Sequence, residues 1–202
     1  MERTSPGTYQ IAVFSSGHSR GSNLRAMHSY WREHSLPIQI ALAVFTRTDS
    51  PALALANDLG IPSLVVSAKI MKSFETEVLE RCKALNINLI ALAGFLKPLS
   101  HDFIVNIGIP ILNIHPALLP KYGGKGMYGM AVHKAVYEGG EHISGATVHI
   151  VDPLYDHGRI VAQSCVDVSA CASPEEIAAS VLAIEHQLYA PSIYTLLSGT
   201  SQ

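Results

Sequence analysis

Short apolar runs alternate with amphipathic stretches along this chain, and the alternation predicts strand, then helix, repeatedly. Ile11-Ala12-Val13-Phe14 reads as a first strand, followed by a Ser/Gly loop and a helix over 23–34. Residues 38–45 read as a second strand, and 51–59 as a helix with Pro51 at its start and Gly60 at its stop. A third strand over 63–66 and an amphipathic helix over 74–85 come next. Asn88-Leu89-Ile90-Ala91-Leu92-Ala93 is almost continuously apolar, the pattern of a strand covered on both faces. A fifth strand ends in Asn113-Ile114-His115. After Gly145 the texture changes: 146–151 and 160–168 predict two strands joined by a short polar loop, an antiparallel addition. A long helix over 174–197 closes the chain, with Ser173 and Glu176 spaced as a capping box and Pro174 in the first turn. Short apolar strands separated by helices predict an α/β fold: one open, twisted, mainly parallel sheet with flanking helices and antiparallel strands near the C-terminus. The chain reads as a single domain over 1–202, with 1–8 and 198–202 as flexible tails.

The tip of the fifth strand carries the most informative chemistry. Alternation along a strand puts Asn113 and His115 on one face and Ile114 on the other. Pro116 has no N–H and ends the ladder behind them. An amide donates hydrogen bonds to a developing oxyanion, and an imidazole moves protons near neutral pH. Asp156, about forty residues downstream in a Gly-bearing loop, is the carboxylate that could orient the imidazole. The plain alternative is a buried, satisfied histidine in a polar corner.

Two glycine-bearing loops flank this tip in sequence. The first, Ser15-Ser16-Gly17-His18-Ser19-Arg20-Gly21-Ser22-Asn23, leaves the first strand and opens a helix, where an anion is well held by free N–H groups. Arg20 could add charge, and a Cβ at Gly21 is expected to block backbone approach to that anion. There is no Gly-Lys-Ser/Thr, so it is not a P-loop. The second, Tyr122-Gly123-Gly124-Lys125-Gly126-Met127-Tyr128-Gly129, has the composition of a mobile lid beside the polar tip.

Composition narrows the classes of function. Hydrophobic residues make up 48% and charged residues 15% of 202, with a net charge of −2, which gives no basic face for nucleic acid. No apolar stretch approaches the roughly 18 residues that a bilayer requires, and residues 1–9 do not read as a signal peptide. Three cysteines without metal spacing suit a reduced, cytoplasmic protein, and the ten histidines form no metal-binding cluster, so no metal is expected.

Several blocks together resemble a known family. They are Ser16-Gly17 with Gly21-Ser22-Asn23-Leu24, then Leu92-Ala93-Gly94-Phe95-Leu96-Lys97-Pro98-Leu99-Ser100, then Leu112-Asn113-Ile114-His115-Pro116-Ala117-Leu118-Leu119-Pro120-Lys121-Tyr122. Ser144-Gly145-Ala146-Thr147-Val148-His149, Asp156-His157-Gly158 and Ile184-Glu185-His186 follow in order. This set resembles the phosphoribosylglycinamide formyltransferases, folate-dependent enzymes of purine synthesis with a Rossmann-like fold. The resemblance implies formyl transfer from 10-formyltetrahydrofolate, as co-substrate, to the amine of glycinamide ribonucleotide. It implies that Asn113 and His115 stabilise the oxyanion and that Asp156 orients His115 and moves protons. It implies that Gly21, Ser22 and Asn23 hold the phosphate, with Arg20 in reach. It also implies that Glu185 contacts the sugar, and that Leu96, Lys97, Pro98 and Leu99, with Asn113, line the folate pocket. Small molecules are the expected partners, with no nucleic acid or membrane, and the chain is expected to be a monomer or homodimer. Related readings are formyltetrahydrofolate hydrolase and a non-catalytic nucleotide-binding module of the same fold. The chain departs from the family pattern in a longer first loop, in Arg159 where a proline is usual, and in a longer 124–129 segment. Lys69, Met71 and Lys72 stand near the place of a folate-contacting arginine, and none is assigned that role.

Overall fold

A computed structural model describes residues 7–16 and 19–199. The loop positions Gly17 and His18, and the tail positions 1–6 and 200–202, lie outside the described residues. Among the described residues seven strands form one sheet in the order β3-β2-β1-β4-β5-β6-β7. The strands are β1 (Tyr9–Ser15), β2 (Ile38–Phe45), β3 (Ser63–Val65), β4 (Leu89–Leu92), β5 (Ile111–His115), β6 (Ile143–Ile150) and β7 (Ile160–Asp167). The first five pair in parallel, and β6 and β7 add antiparallel to β5. The expected mainly parallel α/β sheet with an antiparallel C-terminal addition is the observed one.

Among the described residues six helices cover the sheet: α1 (Ser22–Glu33), α2 (Pro51–Asp58), α3 (Met71–Ala84), α4 (His101–Ile107), α5 (Met130–Glu138) and α6 (Pro174–Ser198). Alternating strand residues feed two cores. Ile11, Val13, Leu89, Ala91, Leu112 and Ile114 pack with α1, α2, α5 and α6, and Trp31 and Tyr189 fill that layer. Ala12, Phe14, Ile90, Leu92 and Ile111 pack with α3 and α4 on the other face. All four β4 residues are buried, as its continuous apolar run required.

The boundaries differ from the pattern at instructive places. Two helices, α4 and α5, were not foreseen. The α4 helix has only seven residues, too few to show a period, although Ser100 accepts from Phe103 N–H at its start and Gly108 ends it at φ 67°. Strand β6 begins at Ile143, ahead of Gly145, rather than after it. A Cβ at Gly145 would sit 2.1 Å from the Ser164 carbonyl oxygen, so this glycine lets β7 approach rather than ending a segment. At the start of α6, Ser173 accepts from Glu176 N–H, but the Glu176 carboxylate takes the Ala172 N–H and not that of Ser173.

The strand order places the site. The chain runs outward from β1 to β3 and returns to β4 on the opposite side of β1, so the loops leaving β1 and β4 diverge. A crevice opens at such a switch point, at the carboxyl ends of the strands. Its floor is tied down: Ser16 N–H donates to the Gly94 carbonyl at 3.0 Å, and Leu96 N–H donates to Ser16 Oγ at 2.6 Å. The Tyr189 hydroxyl, fully buried on α6, lies 3.0 Å from the Leu92 carbonyl and 2.9 Å from that of Leu112, and so holds the ends of β4 and β5 together.

Candidate active site

The polar tip of β5 is built as alternation requires. Ile111 is in the core, and Asn113 and His115 follow it on the same face, past the end of the cover given by α4. The antiparallel partner β6 sets His149 opposite Asn113 and Thr147 opposite His115. His149 Nε2 is 3.1 Å from Asn113 Nδ2. The β6–β7 pairing shifts register beside His149: Val148 pairs with Ala162 and His149 with Ile160, so Val161 of β7 is passed over. His149 stands within the quoted sequence blocks, but no role was foreseen for it. Its strand alternation with Thr147 was legible; the register against β5 was not.

Asp156 joins this group from the 151–159 loop. Its Oδ2 is 3.5 Å from His115 Nδ1 and its Oδ1 is 3.5 Å from His149 Nε2. The carboxylate also accepts the Gly124 N–H at 2.9 Å. Asp156 has φ 54°, a conformation that acidic side chains tolerate better than most, and one that clusters where surrounding contacts enforce it. Burial alone would push the Asp156 carboxyl up; the hydrogen bond from His149, the charge of His115 and the Gly124 N–H outweigh it and hold it below the usual range. For the His115 imidazole burial wins instead. Burial lowers its pKa more than Asp156 and the Tyr122 carbonyl raise it, and His149 adds to the lowering. The carboxylate therefore stays ionised beside a deeply buried imidazole whose charged form burial disfavours and Asp156 favours.

The phosphate candidates are only partly brought together. Ser22 and Asn23 begin α1 and line the same cavity as the polar tip, together with Ser19. Gly21 occupies the N-cap at φ 79°, with no side chain to cap the first turn, which leaves backbone donors open to an anion. Arg20 is exposed and is not part of the cavity wall. The role expected for the bare Gly21 α-carbon needs correction. A Cβ there would meet Leu55 Cδ2 at 2.8 Å and Ala52 Cβ at 3.1 Å, so it would strike α2 rather than the anion's approach. Gly21→Val is accordingly expected to lower stability by about 2 kcal/mol or more, from overpacking and positive φ, with the loss read by urea unfolding.

Glu185, expected at the sugar, lies on α6 and accepts a 2.7 Å hydrogen bond from Asn23 Nδ2. Asn23 Oδ1 is buried without a hydrogen-bond partner among the described residues. Burial pushes the Glu185 carboxyl up to about 7, with the Asn23 bond acting against it. A carboxyl raised on folding favours the folded state below its unfolded pKa, and that advantage is lost as pH rises through the folded value. Glu185→Gln should therefore match the wild type near pH 4.5. By pH 8 it should be the more stable by up to about 3 kcal/mol, because the amide never ionises. Thermal unfolding at the two pH values measures this.

The opposite wall is the 94–99 segment. Leu96, Lys97, Pro98 and Leu99 all line the cavity, which has a volume of about 700 Å³. Phe95 anchors this wall in the core: its ring is 5.8 Å from that of Phe14 and 5.5 Å from that of Phe74. Each such pair contributes roughly 0.5–1.5 kcal/mol beyond its buried area. Beyond the wall, the buried Glu75 carboxylate accepts from Ser100 N–H and Oγ at 2.6 and 2.7 Å, fixing the segment's far end. The glycine-rich segment 124–129 forms the third side, with His133 of α5 beneath it. His133 was also not foreseen; its Nδ1 is buried without a partner. Among the described residues no group of three or more His, Cys, Asp or Glu is placed to hold a metal ion, and no helix is long and apolar enough to cross a membrane.

A switch-point crevice where an amide, an imidazole and a carboxylate meet, near an uncapped helix start, defines an α/β protein with a polar cavity of small-molecule size. The chain belongs to the formyl transferase family, whose profile matches residues 9–193. It is 40% identical over 188 residues to the chloroplastic phosphoribosylglycinamide formyltransferase of Arabidopsis thaliana, covering 91% of this chain and 64% of that one. It is 31% identical to the Bacillus subtilis (strain 168) phosphoribosylglycinamide formyltransferase, covering 94% and 95%. The crystal structure of glycinamide ribonucleotide transformylase 1 from Geobacillus kaustophilus superposes with a TM-score of 0.84 at 32% identity, over 94% of this chain and 99% of that one. The chain thus spans slightly under two thirds of the plant relative and nearly the whole of the bacterial ones.

Proposed function

We propose that this protein transfers a formyl group from 10-formyltetrahydrofolate to the amine of 5'-phosphoribosylglycinamide, a step of purine biosynthesis. The observation that carries the reading is the meeting of Asn113, His115 and Asp156 in one cavity, between the uncapped start of α1 and the 96–99 wall. The ribonucleotide phosphate would lie at Ser22 and Asn23, its sugar at Glu185, and the pterin against Leu96, Lys97, Pro98 and Leu99. The two substrates then converge on the β5 tip, which supplies the entropy advantage of fixed orientation.

The acceptor amine attacks the formyl carbon, and the carbonyl oxygen becomes an oxyanion. The Asn113 amide and the protonated His115 donate to that oxygen. The amine's surplus proton leaves to Asp156, directly or through a water. Collapse of the adduct breaks the bond to the folate nitrogen, which takes the proton that Asp156 received from the amine, so the carboxylate is restored. Tetrahydrofolate and the N-formyl ribonucleotide result.

Formyl transfer from 10-formyltetrahydrofolate, followed with and without the ribonucleotide, tests the reading. Folate consumption that requires the ribonucleotide is the expected result. Equal consumption in its absence would identify a hydrolase, and ligand binding without turnover a non-catalytic module.

A further inference from the structure

We infer that Tyr122 and Glu141 are positioning residues that set the tautomer of His115. Glu141 grips the Tyr122 hydroxyl, and the Tyr122 carbonyl so fixed takes the His115 Nε2 proton, leaving Nδ1 as the nitrogen that exchanges protons beside Asp156. The inference deepens the proposed transferase reading of this site and rests on it for its kinetic part only.

The geometry runs through four groups. His115 Nε2 is 2.8 Å from the Tyr122 carbonyl oxygen. A carbonyl can only accept, so Nε2 is the protonated nitrogen of the neutral ring. The other nitrogen, Nδ1, then meets Asp156 at 3.5 Å with its lone pair, or with a proton when the ring is charged. His149 of β6 and His133 of α5 are the other titratable groups that face this ring. Among the described residues it is the Tyr122 carbonyl that partners Nε2.

That carbonyl belongs to a strained residue. Tyr122 is not glycine, yet its φ is 55°, a conformation an L side chain holds only where its surroundings enforce it. The far end of its side chain is tied down. The Tyr122 hydroxyl donates to Glu141 Oε1 at 3.0 Å, and Lys121 Nζ meets the same oxygen at 2.9 Å. The place for that hydroxyl is kept open by Gly139 at the end of α5, where a Cβ would lie 2.5 Å from the hydroxyl oxygen. A rigid ring tied at its tip leaves its own main-chain carbonyl little room to turn. Two residues on, the Gly124 N–H holds Asp156, so the same short segment addresses both members of the proton-transfer pair. Holding an imidazole in one tautomer through its second nitrogen is a recurrent requirement of acid–base catalysis.

The test uses the full chain with 15N-labelled histidine. Long-range 1H–15N spectra above the imidazolium range report which nitrogen carries the proton, and the His115 signals are assigned by their loss in His115→Ala. The wild type should show the Nε2–H form. Tyr122→Phe should show a mixture with the Nδ1–H form, about a 10-fold fall in kcat, a displaced His115 limb in the kcat–pH profile, and a ribonucleotide KM within about twofold of wild type. Glu141→Leu should reproduce these changes, and it serves if the Phe variant fails to fold. Glu141→Gln keeps an oxygen that accepts from the hydroxyl, so it should retain most of the turnover and the wild-type tautomer. A folded Tyr122→Phe or Glu141→Leu variant with the wild-type tautomer and pH limb would overturn the inference. So would a Glu141→Gln variant as impaired as Glu141→Leu. Failure of formyl transfer in the wild type would sink the transferase reading but leave the tautomer result standing.

Discussion

His115→Ala is expected to lower kcat by roughly 100-fold or more, the scale of removing one donor from an oxyanion site. Two losses combine in that figure. The substitution removes the imidazolium that faces the adduct, and it leaves Asp156 with one histidine neighbour where it had two. Asn113→Ala should cost a similar factor, because its amide donates to the same oxygen. The double variant should fall well short of the product of the single effects, since both groups serve one intermediate. The fold should survive each change: both side chains sit at the strand's end, while Leu112 and Ile114 keep the core contacts of β5. Single-turnover rates with saturating substrates measure the chemical step. A folded His115→Ala enzyme with near wild-type turnover would remove His115 from the mechanism.

Asp156→Asn should lose most of the activity while preserving the loop. The Asn side chain retains an oxygen that can accept the Gly124 N–H now bound at 2.9 Å, so the backbone tie remains. What disappears is the negative charge. In the wild type that charge raises the pKa of His115 against a larger lowering by burial. Without it burial acts unopposed by a carboxylate, and the His115 limb of the kcat–pH profile should move further toward acid. Turnover at pH 7 should fall by about 100-fold or more, because the imidazolium loses its counter-ion and the amine proton loses its acceptor. An unchanged rate would move the proton transfer elsewhere, with Asp152 of the same loop the next group to test.

Much of this site was legible along the chain, and the physical reason is locality. The side-chain period of two fixes Asn113 and His115 on one face whatever the rest of the molecule does. The change from strand to helix around Gly21 marks an anion-ready turn through local geometry alone. The apolar run of β4 reports burial on both faces, because a strand that is covered twice has no polar side to show. Boundaries needed more. Gly145 reads as a break in a sequence, yet it lies within β6 because the neighbouring strand needs the space a Cβ would fill. The short α4 helix escaped notice because seven residues make fewer than two full turns of pattern.

What tertiary structure alone decided is the partnering of groups far apart in sequence. The register of β6 against β5 puts His149 beside Asn113, and no local pattern encodes a register across 36 residues. The 2.7 Å contact between Asn23 and Glu185 spans 162 residues and depends on α1 packing against α6. The backbone donors and acceptors are the least visible of all. The Tyr122 carbonyl at His115 and the Gly124 N–H at Asp156 belong to groups that every residue carries. A sequence names the side chains available for chemistry; which main-chain atoms aim at them is settled only when the loops close over the sheet.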